Sequence, residues 1–208
     1  MSETKIGLSQ EELDLVQNAG WILTKNAVIE KTKQLFNALQ DKQEQYLTAQ
    51  FTELKRVILD TSPKISKGEN YRGLPYVVLD YPRLFDKENI IAVRCLFWWG
   101  HFISITLHLS GKYKKIYERH ILRSYGELKK RGFYYCVNTK EWEHHFDDSN
   151  YLSLKNTDYE DFEKAVEEKD FLKIAYPIPV ASWNEAPPIL YDIFTELIEI
   201  LKDQAPSR

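Results

Sequence analysis

The sequence predicts an α+β fold: an antiparallel sheet of about four to five strands, with a meander over residues 74–109, packed with N-terminal helices, a central basic helix and a C-terminal helix. Three observations lead there. Residues 91–109 alternate with period two, as a strand with one buried face does. The flanking regions switch to helical spacing. Hydrophobic residues make up 43% of the chain, enough for a substantial core, and no apolar run approaches the ~18 residues that a membrane-spanning helix needs.

In the central stretch the odd positions are Ile91, Val93, Cys95, Phe97, Trp99, His101, Ile103, Ile105, Leu107 and Leu109, all apolar but His101. The even positions are mixed, with Arg94, Ser104, Thr106 and His108 among them. One straight strand of this length would run about 60 Å, whereas a compact chain of 208 residues has a radius of gyration of about 17 Å. The stretch must therefore bend or turn back. A three-residue turn at Trp99-Gly100-His101 pairs Trp98 with Phe102, Phe97 with Ile103, Cys95 with Ile105 and Val93 with Leu107, and keeps the apolar face continuous. Gly100 supplies the positive φ of such a turn. The alternative is one strand bent by a bulge at Gly100.

The other elements follow in order. Ser9 with Glu12 forms a capping box and opens a first helix. A helical region runs from about 22 to 59, its stripe including Val28, Leu35, Phe36, Leu39, Tyr46, Leu47, Phe51, Leu54 and Ile58; Asp41 with Glu44 suggests a restart or kink near Gln40. Residues 61–73 read as a loop and 74–81 as an inner strand. Residues 112–131 form a helix with eight Lys or Arg against Glu118 and Glu127, stopped by Gly132. Residues 133–137 make a strand, Thr157 with Glu160 caps another helix, and Pro177 and Pro179 confine strand 171–176 to a sheet edge. Pro187 and Pro188 open the last helix, whose wide apolar face (Ile189, Leu190, Ile193, Phe194, Leu197, Ile198, Leu201) must dock on the sheet, with a tail beyond 203. The whole reads as one domain, 1–208, with a helical region at 1–60 and an α+β core at 71–203.

Composition bounds the function. The net charge is −3, so nothing pulls the whole chain towards nucleic acid or an anionic membrane. The N-terminal residues carry no apolar signal segment, and Cys95 and Cys136 fall in predicted strands as buried thiols, so a soluble cytoplasmic protein is expected. Nucleotide-binding glycine loops, the nucleophile elbow, the zinc-protease helix motif and paired-cysteine motifs are absent, and no cofactor is expected.

Three candidate sites emerge. The polar even face of the hairpin puts Arg94 opposite Thr106, with Ser104 and His108 beside them, and Asp80 and Arg83 at the neighbouring strand end to partner a buried arginine. Such a face suits a small anion or carboxylate, with arginine as fork and histidine as acid or base; the plainer reading is a solvated sheet face or a structural ion pair. Residues 141–148, EWEHHFDD, would place His144 and Asp148 one helical turn apart, but no third ligand is specified, so no metal is assigned. Trp98, Trp99 and Phe102 crowd one hairpin tip and, if exposed, mark an interaction surface.

The missing catalytic motifs and the aromatic tip favour a non-enzymatic binding or interaction module, its partner a small anion or another protein. The alternative is an enzyme or carboxylate binder using Arg94 and His108. Nucleic-acid binding through the basic helix 112–131 ranks third, because the acidic stretch 139–170 (eleven acidic against four basic residues) offers that helix an internal partner. Convergence of Arg94 and His108 in a closed site favours a ligand; exposure of both to solvent favours the interaction module.

Overall fold

The computed structural model describes residues 6–49 and 61–202. The alternating central stretch is a hairpin: β3 (Ile90–Trp98) and β4 (Phe102–Ser110) pair in the expected register, Trp98 with Phe102 through Val93 with Leu107. Gly100 takes φ 75°, and the His101 amide donates to the Trp98 carbonyl at 3.1 Å. β2 (Leu74–Phe85) pairs with β3 and completes the meander.

The sheet has seven strands, in the order β1-β2-β3-β4-β7-β5-β6, each pair antiparallel. The α+β antiparallel class holds, but the strand number exceeds the predicted four to five. One extra strand is β1 (Lys64–Tyr71), where the sequence predicts a loop. Its residues are polar because it is an edge strand with one neighbour. The Arg72-Gly73 turn, positive φ at both residues, folds it onto β2. The other extra strand is the short β6 (Tyr151–Ser153), whereas β5 (Tyr134–Cys136) and β7 (Phe171–Pro179) fall on the strands expected at 133–137 and 171–176. β7 is interior, not an edge, between β4 and β5. β5 pairs it only at Ile174 and Ala175, so Pro177 and Pro179 lie past that pairing, where a missing N–H costs no ladder bond.

Six helices lie among the described residues. α1 (Gln10–Gln17) begins with the Ser9–Glu12 capping box. α2 (Ala19–Ala49) runs unbroken through Gln40, because its buried stripe Phe36, Leu39, Gln43, Leu47 keeps its spacing across the expected restart. Phe51, Leu54 and Ile58 lie outside the described residues, as does the tail beyond 203. The basic helix is two helices, α3 (Gly111–Arg123) and α4 (Tyr125–Arg131), broken at Ser124. The break turns Tyr125 towards residues 157–162, where its hydroxyl donates to the Thr157 carbonyl at 2.7 Å and its ring stacks on Phe162. Gly132 stops α4 at φ 94°. α5 (Tyr159–Glu168) is capped by Asp158 rather than Thr157, whose hydroxyl donates instead to the Ser153 carbonyl. α6 (Ala186–Leu201) carries its two prolines in the first turn.

The odd face of the hairpin is the core. Val93, Cys95, Phe97, Ile103, Ile105 and Leu107 pack there with Phe36 and Leu39 of α2 and Ile193, Phe194 and Leu197 of α6. The even face is also buried, but by a different cover: the irregular stretch 139–150, here termed the flap.

Candidate functional site

Alternation places Asp80 of β2, Arg94 of β3, Thr106 and His108 of β4 and Lys173 of β7 side by side on the even face. Asp80 is 6% exposed, His108 5% and Lys173 2%. A buried charge is tolerated only when paired and hydrogen-bonded, and each of these is. Arg94 grips Asp80 through both prongs of its guanidinium, Nε to Oδ1 at 2.7 Å and Nη2 to Oδ2 at 2.9 Å. Its Nη1 points away from the sheet and donates to His144 Nε2 of the flap at 3.1 Å. Since an arginine only donates, His144 is neutral with its proton on Nδ1.

One strand along from Arg94, His108 Nε2 meets Glu141 Oε1 of the flap at 2.8 Å. The Lys173 ammonium donates to the carbonyls of Glu141 at 2.9 Å and Glu143 at 2.5 Å, and lies over the Tyr151 ring. The Tyr71 hydroxyl accepts the amides of His144 and His145 at 2.8 and 3.2 Å and donates to Glu143 Oε2 at 3.1 Å. Trp142 closes the roof, its ring against both His108 and the Arg94 guanidinium.

The electrostatics follow from this enclosure. Burial, then the nearby Lys173 and Arg94 charges, hold the His144 pKa well below the ordinary histidine value. Burial also lowers His108, partly offset by its bond to Glu141. That same bond holds the Glu141 carboxyl below its usual range. Burial pushes Lys173 down to about 8.

Of the residues expected at this site, the structure brings Asp80, Arg94, Thr106 and His108 together, and Ser104 lies buried on the same face nearer the hairpin tip. Arg83 does not join. The ladder shifts between Asp80 and Arg83, and the Arg83 Nε donates to the Ser62 carbonyl at 3.2 Å. The aromatic tip is packed rather than exposed. Trp98 is 4% exposed, stacked on His101, with its indole N–H donated to the Tyr71 carbonyl. Phe102 meets Phe146 edge-on, and Trp99 turns to Phe97 on the other face. The EWEHHFDD stretch is not helical, so the one-turn spacing of His144 and Asp148 does not arise. Among the described residues no group of three or more His, Cys, Asp or Glu is placed to hold a metal.

Lys173, Glu141, His144 and Tyr71 are the partners that sequence reasoning missed. Lys173 alone left a legible signal: a single charge in the apolar run FLKIAY.

An open cleft of about 550 Å³ adjoins the cluster, lined by Ser110, Lys114, Glu118, Glu141, Lys169 and Phe171 among others. Glu141 therefore borders both the cleft and His108. No protein-family model, curated protein or solved structure matches this chain.

Proposed function

We propose that the protein is a binding module for a small organic carboxylate, seated where the Glu141 side chain now lies. The observation that carries this reading is the half-buried carboxylate of Glu141 itself, delivered by a flap onto the buried His108 Nε2 and beside Lys173. It occupies the place a ligand carboxylate would take. With the flap lifted, the sheet would present three donors on adjacent strands: Arg94 Nη1, the His108 N–H and the Lys173 ammonium. The Asp80 grip fixes Arg94 beforehand, which lowers the ordering cost of binding. The floor would then carry Asp80, Arg94 and Lys173, a net charge of one positive, matched to a monoanion. The adjoining cleft lies within the ~300–1,000 Å³ range of small-ligand sites and gives the remainder of such a ligand somewhere to lie.

The test is a titration with acetate, succinate and benzoate, followed by melting temperature and Trp142 fluorescence. Carboxylates should raise the melting temperature of wild type. They should raise it further in Glu141→Ala, which removes the internal competitor, and not at all in His108→Asn. Absence of a shift with every carboxylate in both wild type and Glu141→Ala would sink the reading.

A further inference from the structure

The N-terminal arm takes no part in the site above, and the basic helix borders its cleft on the side of Lys114, Lys115 and Glu118; both are conspicuous surfaces. In residues 6–24 eight large apolar side chains stand in solvent: Ile6 99% exposed, Leu8 61%, Leu13 37%, Leu15 49%, Val16 72%, Trp21 49%, Ile22 41% and Leu23 64%. α1 has no buried residue, and the first buried residue of α2 is Ile29. At roughly 200 Å² per fully exposed large residue, these side chains present on the order of 900 Å². The largest apolar patch on a typical monomer is ~300–600 Å², and a standard protein interface takes ~800 Å² from each partner. The arm is therefore large enough to be one side of a stable interface.

Charge says what the other side is. The arm contains Glu11, Glu12 and Asp14 and no lysine or arginine. On α3, Lys112, Lys115, Arg119 and Arg123 are exposed at positions that share one stripe, with Ile116 53% exposed in their midst. An acidic apolar arm and a basic stripe with an apolar centre are complementary. Among the described residues the two surfaces pack on different neighbours. Lys25 pairs with Glu69 at the β1 edge and fixes the base of the arm there, while α3 lies against β3, β4 and β7.

We propose that the arm docks on the α3 stripe of a second copy of this chain, reciprocally, to form a twofold dimer with two such contacts. The apolar side chains supply affinity, and the charges set register and partner choice.

Light scattering coupled to gel filtration, at low and high salt across micromolar concentrations, reads this directly on the full chain. Wild type should be a dimer that high salt weakens. Val16→Asp with Leu23→Asp, or Lys115→Glu with Arg119→Glu, should raise its dissociation constant by about tenfold or more, with circular dichroism spectra unchanged because all four sites are exposed. Combining Glu11→Lys and Asp14→Lys, which spare the Ser9–Glu12 cap, with the two α3 reversals should restore the dimer. A monomer at every concentration, or a dimer indifferent to the α3 reversals, would overturn the proposal.

Discussion

Arg94 holds sheet and flap together, two of its nitrogens on the Asp80 carboxylate and the third on His144. The hairpin register put it mid-strand, and the preceding strand offered a carboxylate at Asp80 in reach. The register could be read because only a three-residue turn keeps odd residues facing odd ones. Lys173 was not legible as a member of the site, because its partners are carbonyls of a flap some thirty residues upstream. Nor was Arg83 separable from the site, since the ladder shift that removes it is a backbone event without a sequence mark. The two halves of the Arg94 grip predict different losses. Arg94→Ala leaves Asp80, 6% exposed, without its cation. That should lower stability by about 3–5 kcal/mol, the usual cost of stranding one member of a buried pair. Arg94→Lys keeps the charge but cannot span both carboxylate oxygens and His144 at once, so it should fall between the two. Thermal melting of the three proteins checks this, and an alanine variant that melts with wild type would show that the pair contributes nothing.

At the scale of elements, strands and helices with a periodic apolar face were readable, whereas those defined by a neighbour were not. β1 has a single apolar position, Ile65, between Lys64 and Tyr71, and exists because β2 offers it an edge. β7 looked like an edge strand because its prolines are visible in the sequence and the shortness of β5 is not. The flap has no periodicity at all; its shape is set by the side chains that hold it. This makes it the element most sensitive to pH. His108, His144 and His145 all have lowered pKa values in the fold, chiefly through burial. Around them stand Arg94, Lys173, Arg72, Glu141, Glu143 and Asp147. As pH falls below the ordinary histidine value of 6.5, the unfolded or open form binds protons that the closed form does not. Stability then drops with acidity, by at most about 1.4 kcal/mol per pH unit for each histidine. Glu141 adds a second loss at lower pH, because its carboxyl is held ionised in the fold and its contribution disappears as it is protonated. Between pH 6.5 and 5 the flap should therefore loosen, seen as a change in Trp142 fluorescence and faster hydrogen exchange in residues 139–150. His144→Asn retains an acceptor for Arg94 without a titrating ring and should blunt the effect. Identical exchange in the flap at pH 7 and pH 5 would contradict this account.

For the molecule as a whole, one sheet carries two covers of opposite character. The apolar cover, α2 and α6, was largely foreseen from its stripes, and it meets strands β2, β3, β4 and β7 in a single continuous core. The polar cover was foreseen only as a need, a partner for a buried arginine, because an irregular segment leaves no pattern from which its path can be read. The two covers should fail differently. Ile193 is fully buried in the middle of α6, and Phe194, Leu197 and Ile198 beside it are 0–1% exposed, so little can move in to fill a void. Emptying that position costs the transfer of the lost methyl groups plus the cavity they leave, about 2–5 kcal/mol for Ile193→Ala. Because α6 shares its core with the hairpin, that loss should appear everywhere the core reaches. Slowly exchanging amides of β3 and β4 should speed up together with those of α6, by a common factor set by the fall in global stability. Acid loosening of the flap, by contrast, removes hydrogen bonds on the other face and leaves the apolar core packed, so the same β3 and β4 amides should remain protected while residues 139–150 exchange. Hydrogen exchange on Ile193→Ala at neutral pH and on wild type at pH 5 compares the two directly. If the alanine variant speeds only α6, the helix is a separable appendage and the core is not one cooperative unit; if acid exposes β3 and β4 as fast as the flap, the polar cluster holds the whole sheet together rather than its cover.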